Sequence, residues 1–274
     1  TEHENRYYEL PLTWYTQEQR WDFSPGYRAA NSRFDRLIPD RCMACHNSYP
    51  ASVPFVNGKY REMPEGIGCE RCHGPGELHA DERLVSMEPS DSIDYTIVNP
   101  AHLSLTRRMD VCQQCHLHGT VSVLREGRGP FEFRPGEPIA AHVSIFSDES
   151  TDPDDEGNIT VISHADRLQK SACFVASRET NRPMDCMTCH DPHEGFRSAG
   201  SQYFNTTCRD CHATGDLQAQ MADAELKEQH SASSNCISCH MPKREAEDAP
   251  HASFTDHWIR VVDQTLADQN DRTD

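Results

Sequence analysis

The chain has 274 residues, room for one large domain or two small ones. Its apolar fraction of 36% lies below the roughly 45–50% of ordinary globular domains, and 44 acidic residues against 26 basic ones leave a net charge of -18. That balance argues against nucleic acid or anionic lipid as a partner, and it leaves a core that side chains alone would fill poorly.

The chain opens at Thr1 without an initiator methionine, an apolar signal segment or an anchor cysteine, so a mature form of an exported precursor is expected. The first chemical signature is Cys42-Met-Ala-Cys45-His46, followed by Cys69-Glu-Arg-Cys72-His73. A Gly-Pro-Gly turn then reverses the chain towards His79. Beyond His102 comes Cys112-Gln-Gln-Cys115-His116, with His118 just after it. Thr120 to Leu124 and Phe131 to Phe133, flanking Glu126-Gly-Arg-Gly129, predict a small β-hairpin.

After His142, residues 147–160 are dense in Asp, Glu, Pro and Gly and predict a solvated acidic loop. Within it Asp152, Asp154, Glu156, Gly157 and Ile159 partly match a calcium-binding loop, with Ser163 where the closing glutamate would stand. Calcium is therefore a candidate ligand, against a plain solvated loop. His164 opens an apolar-periodic stretch (Ala165, Leu168, Ala172, Val175) that predicts a helix carrying Cys173 as a buried, inert thiol.

The last third holds three more motifs, Cys186-Met-Thr-Cys189-His190, Cys208-Arg-Asp-Cys211-His212 and Cys236-Ile-Ser-Cys239-His240. His193 follows the first of them by three residues. A polar helix is expected from about Asp216 to Gln229, ending at His230. His251 and His257 lie beyond the last motif, before a polar tail at 261–274.

Twelve of the 13 cysteines thus fall into six copies of C-x-x-C-H. Two thiols three positions apart can form thioethers with both vinyl groups of one haem, and the adjacent histidine becomes its proximal iron ligand. Zinc ribbons or redox dithiols would use C-x-x-C without an obligatory histidine. The sequence therefore predicts six haem c groups, ligated by His46, His73, His116, His190, His212 and His240. Covalent attachment of haem places the chain outside the cytoplasm, extracellular or periplasmic. No apolar run approaches the length of a membrane span.

Ten further histidines remain, more than six bis-histidine haems require. His79, His164, His193, His230, His251 and His257 are the expected distal ligands, with His102, His118 and His142 as alternatives. His3 reads as a mobile terminal residue, or as a ligand donated to a haem in another subunit. The expected fold is mostly α with much irregular coil and a small β-hairpin, organised around packed haems. Haem contacts would fuse residues 1–274 into one body, with a sub-division near 150.

Several stretches resemble the exported multihaem cytochromes related to the tetrahaem electron carrier of ammonia oxidation. In many of these the haem region precedes tetratricopeptide repeats. The stretches run from Ile38 to Asn47, Gly68 to His79, Val111 to Leu117, Phe133 to Gly136, Cys186 to His193, Cys236 to Lys243 and Phe254 to Ile259. The resemblance implies the same six distal histidines. After Ile259 only a short polar segment remains, so a docking role for such repeats is not expected here.

The expected function is electron transfer by a carrier rather than an enzyme. Its partners are other redox proteins or further copies of itself stacked head to tail in an extracellular filament. A soluble periplasmic carrier is the alternative. A multihaem oxidoreductase acting on nitrogen or sulfur oxyanions is the other class. It is disfavoured because no C-x-x-C-K occurs and histidines are plentiful.

Overall fold

The computed structural model describes residues 1–27, 33–85, 93–117, 119–147, 159–162 and 164–262, with only the backbone of Phe196 and Arg197. The candidate calcium ligands 152–157, Ser163, His118, residue 150 and the tail from 263 lie outside the described residues. The chain forms two compact units. One comprises Thr1–Ser163 and Ala246–Ala252, the other His164–Glu245 and Ser253–Asp274. Each contains three of the six C-x-x-C-H motifs.

The first unit begins with paired strands. Glu2–His3 pairs with Arg6–Tyr7 through a turn in which Glu4 and Asn5 both have positive φ, 52° and 62°. A two-residue hairpin turn of that kind matches the natural twist of the strands. Thr1 closes the hairpin, its amino group donating to the Tyr8 carbonyl at 2.8 Å. The N-terminal histidine therefore sits on an ordered strand, not on a loose end. Leu12–Tyr15 pairs with Arg20–Phe23, with Trp14 opposite Trp21. Ala51–Ser52 pairs with Tyr60–Glu62.

Helices Asp40–His46, Glu70–His73 and Leu105–His116 carry the three motifs of this unit. Leu105–His116 packs against both of the others, so the motifs converge on it. Its N-terminus is capped by Ser104, whose hydroxyl accepts from Arg107 N. Asp40 fixes the start of the first motif helix: its carboxylate accepts from Tyr60 Oη at 2.5 Å and Gly58 N at 2.9 Å. Gly58 has φ +69°, and a Cβ there would lie 2.9 Å from Leu37 Cδ2, so the close approach requires glycine.

Val121–Leu124 is a strand, as expected, but its partner is Val143–Phe146 and not Phe131–Phe133. Pro130 and Pro135 cannot donate to a ladder. Residues 134–137 turn instead, Glu137 N donating to Arg134 O with Gly136 at φ +94°. Phe133 is buried, edge-on to His142. Where one hairpin is expected, the described residues form five two-stranded antiparallel sheets.

The second unit is mainly helical, with one hairpin, Lys243–Glu245 against Ser253–Thr255. The helix opened by His164 stops at Gln169 and resumes as Ala172–Ser177. Ser171 between them is fully buried, its hydroxyl accepting from Ile259 N at 2.8 Å and donating to His257 O at 3.2 Å. Cys173 is half-buried rather than enclosed, and burial pushes its thiol pKa up. The single helix expected over 216–229 is two, Thr214–Gln220 and Ala224–Gln229. Asp223 starts the second, its carboxylate accepting from Leu226 N at 2.9 Å.

This unit is centred on a buried ion pair. Arg167 grips Asp256 through two hydrogen bonds, Nε at 2.8 Å and Nη2 at 2.5 Å. Arg260 adds a third at 2.8 Å. The Asp256 side chain has no exposed surface. Burial pushes its carboxyl pKa up, but the bonds from Arg167, Trp258 N and Arg260 outweigh burial and hold it below its ordinary value.

A fold-level prediction follows from the sign of that shift. A carboxylate with a depressed folded pKa stabilises fully above its ordinary value, 3.8 here, and the contribution is lost as pH falls below it. Asp256→Asn is expected to destabilise by about 3–5 kcal/mol, because it leaves buried arginines without a counter-charge. The variant should also lack the wild type's acid-side loss of stability. Thermal unfolding followed by circular dichroism between neutral and acid pH measures both effects.

Candidate haem-attachment sites

Attachment needs two sulfurs and an imidazole on one side of the backbone. A helical turn provides this, because residues i, i+3 and i+4 are neighbours on its surface. The motif backbones are wound accordingly. His73 N donates to Cys69 O at 3.0 Å, His190 N to Cys186 O at 3.0 Å, and His212 N to Cys208 O at 2.9 Å. At the fourth motif a capping box between Asp185 and Thr188 sets the turn. None of the 13 cysteines is joined in a disulfide. Among the described residues no cluster of three or more His, Cys, Asp or Glu is arranged to hold a bare metal ion.

At the first motif Cys42 and His46 line one cavity of about 520 Å³, with Pro25, Leu37, Ile38, Pro39 and Met43 as its apolar walls. Arg36 and Arg41 supply cations at the same cavity. Glu9 also lines the cavity, paired with Arg36 at 3.1 Å, and Cys45 lies outside the lining; Cys42 and His46 are the motif residues that would hold a haem there. When bound, it supplies a one-electron redox centre.

The proximal histidines are oriented by the backbone. His73 Nδ1 donates to Val98 O at 2.8 Å, and His240 Nδ1 donates to Arg260 O at 2.8 Å. A donating Nδ1 leaves the lone pair on Nε2, the tautomer a metal requires. Desolvation pushes the His116 pKa down, favouring the neutral ligating form.

Some of the expected distal histidines stand close to proximal ones. His230 and His240 have ring centroids 6.1 Å apart, tilted by 54°. His230 Nδ1 donates to Leu226 O at 2.8 Å, so its Nε2 also carries the lone pair. His257 lies 6.1 Å from His190 at an interplanar angle of 23°, and its Nδ1 donates to Thr255 O at 3.0 Å. His164 stacks on the same His257 at 4.5 Å.

The others are placed differently. His79 donates from Nδ1 to Asp94 at 2.9 Å. Hydrogen bonds from Thr96 and Arg83, with a smaller one from His79, hold the Asp94 carboxyl well below the usual range, so it remains an anionic anchor for the ring. His193 is exposed, its ring 3.5 Å from Asp191. His251 has a carboxylate on each nitrogen, Glu18 at Nδ1 and Asp22 at Nε2, and its ring is edge-on to Tyr15. His3 and His102 are exposed. His142 is buried, with Nε2 2.9 Å from Glu137. Arg71, inside the second motif, is buried at 3% exposure. The C-x-x-C-H pattern gives no signal for it, because the two intervening positions are unconstrained.

A profile of the family described as cytochrome c554 and c-prime matches residues 16–74, which span the first two motifs. The multiheme cytochrome MtrA of Shewanella baltica (strain OS185) is 23% identical over 232 residues, covering 80% of this chain and 57% of that protein. The chain is similar to multihaem c-type cytochromes. Its fold is like that of the crystal structure of the outer cell wall cytochrome OcwA, with a TM-score of 0.53 and 16% identity over 97% of this chain. The match takes in 64% of OcwA, so the chain spans about three fifths of the length of both proteins. No described helix is long and apolar enough to cross a membrane.

The double substitution Cys42→Ser, Cys45→Ser should remove one covalently bound haem. Intact mass spectrometry should show a loss of one haem mass beyond the sulfur-to-oxygen changes. An unchanged haem mass would mean that the cavity beside Cys42 is not an attachment site.

Proposed function

We propose that the chain carries six covalently bound haems, three in each unit, and passes electrons along them. The observation that carries this reading is the sixfold C-x-x-C-H motif, with its cysteines and histidine on one turn of backbone. Ligation is mainly bis-histidine, with His79, His164, His193, His230, His251 and His257 as the distal set. The pairs His230–His240 and His257–His190 support it most directly. A six-coordinate iron exchanges electrons without binding substrate, and the role is that of a carrier rather than an enzyme. The chain works outside the cytoplasm, extracellular or periplasmic, between other redox proteins.

A more specific form of this proposal is a subunit of an extracellular filament. The observation favouring it is His3, held exposed on a closed hairpin from which it could reach a haem of a neighbouring copy. A head-to-tail contact that does not close into a ring yields a helical filament. The soluble carrier is the alternative, and electron microscopy of the purified native protein distinguishes them: filaments for the first, single particles for the second.

The ligand assignment has its own test. His230→Ala should turn one haem from low to high spin in the electron paramagnetic resonance spectrum, while haem mass stays at six per chain. A wholly low-spin spectrum would remove His230 from the distal set.

A further inference from the structure

Arg71 belongs to the second motif, yet its guanidinium lies among parts of all three motifs of the first unit. Nη2 donates to the carbonyl of Ala44 in the first motif. The cation acts on the sulfurs of Cys45, Cys72 and Cys115, which belong to the first, second and third motifs. Cys45 and Cys115 are themselves hydrogen-bonded to each other. Tyr49 stacks on the guanidinium, its ring centroid 4.9 Å from Cζ. Gln114, next to Cys115, donates to Arg71 O at 2.9 Å and holds the backbone in place.

Arg71 is 3% exposed, and its Nε and Nη1 are buried without a hydrogen-bond partner. No carboxylate among the described residues pairs with it. The buried Arg167, by contrast, has Asp256 against it at 2.8 Å. An uncompensated cation in a poorly solvated interior is costly. Its cost falls when positive charge is removed from its surroundings, and effective charge–charge energies there exceed those in water.

From this we infer that Arg71 is a potential-setting residue, a fixed buried cation that favours the reduced state of the haems attached in the first unit. The inference rests on the six motifs being haem sites. Each ferric iron gains one electron from an external donor and loses one unit of positive charge. Arg71 is better tolerated after that change than before it, so it raises the potentials of its neighbours. Burial and nearby charge are recognised controls on haem potential. The acidic surface acts in the opposite direction, and Arg71 offsets it from inside.

The test is a spectroelectrochemical titration of the intact holoprotein and of Arg71→Gln, Arg71→Met and Arg71→Lys, with dithionite and ferricyanide as reductant and oxidant. Haem content is counted separately by intact mass. The Gln and Met variants, with full haem content, should reduce at lower potential over the part of the curve belonging to the first unit's haems. The rest should superimpose on the wild type, and the Lys variant should follow the wild type throughout. Gln and Met curves identical to the wild type would overturn the inference. So would a Lys variant shifted like Gln, or haem loss in all three variants, which would make Arg71 a structural support. A wild type lacking haem at these motifs would instead defeat the attachment reading beneath it.

Discussion

One turn of backbone must present two sulfurs and an imidazole to the same side, and most of the architecture answers to that requirement. Such a turn is local, so it needs no long helix or broad sheet around it. The described motif-bearing elements are correspondingly short, down to the four residues of Glu70–His73. Helices of this length are not stable alone in water. They persist here because other elements pin their ends, as Tyr60 and Gly58 do at Asp40, or as Asn205 does by accepting from Cys236 N at 2.9 Å. The side-chain core between them is thin. Tyr15, Tyr27, Met43, Met109, Val111 and Phe174 are buried, while Leu12, Trp21 and Phe55 are exposed. A chain with 36% apolar residues reaches a normal packing density only if large apolar groups lie between its short elements.

The same scarcity explains the polar interior. With few aliphatic side chains available, buried positions pass to groups that bring their own partners. Asp40, Asp110, Asp185 and Asp256 each organise a local knot of hydrogen bonds. Such knots specify geometry more sharply than apolar contacts, because an unsatisfied member is expensive. Trp258 illustrates the economy. Arg167, Lys170 and Arg260 all lie over its ring, at 5.1, 5.6 and 4.4 Å. The indole buries their stems and spreads their charge over its face.

What the sequence revealed follows the range of the interactions involved. The motifs were legible because covalent attachment fixes residue types at fixed short spacings. Strand Val121–Leu124 was legible from its composition, but its partner was set by the turn at Arg134–Glu137 and the burial of Phe133, neither encoded in the strand itself. The helix after His164 and the one expected over 216–229 were both interrupted. Ser171 and Asp223 gave their side chains to hydrogen bonds that a continuous helix would not allow. Among the distal histidines, His230 lies near a motif in sequence and near one in space. His251 has the same sequence credentials as His257, six residues away. It has a positive φ of 57°, and two carboxylates, from residues 18 and 22, stand at its ring. Long-range electrostatics decided that difference, and spacing carries no record of it. Arg71 was invisible for a related reason: its importance lies in what fails to neutralise it.

The segment from Thr255 to Arg260 shows how stability and ligand placement become one problem. Asp256 is locked by Arg167 and accepts from Trp258 N at 3.0 Å. Arg260 is held to the same carboxylate, and its carbonyl accepts from His240 Nδ1 at 2.8 Å. Ser171 fixes the chain between them through His257 O and Ile259 N. One buried carboxylate therefore determines where His257 stands against His190 and which nitrogen His240 presents. A change in Asp256 would be felt at two imidazoles that belong to different motifs. A thin core gains from this arrangement, because the ion pair that supplies stability also restricts these imidazoles. The precision of the centres then depends on a few desolvated charges rather than on side-chain packing, which this composition could not provide.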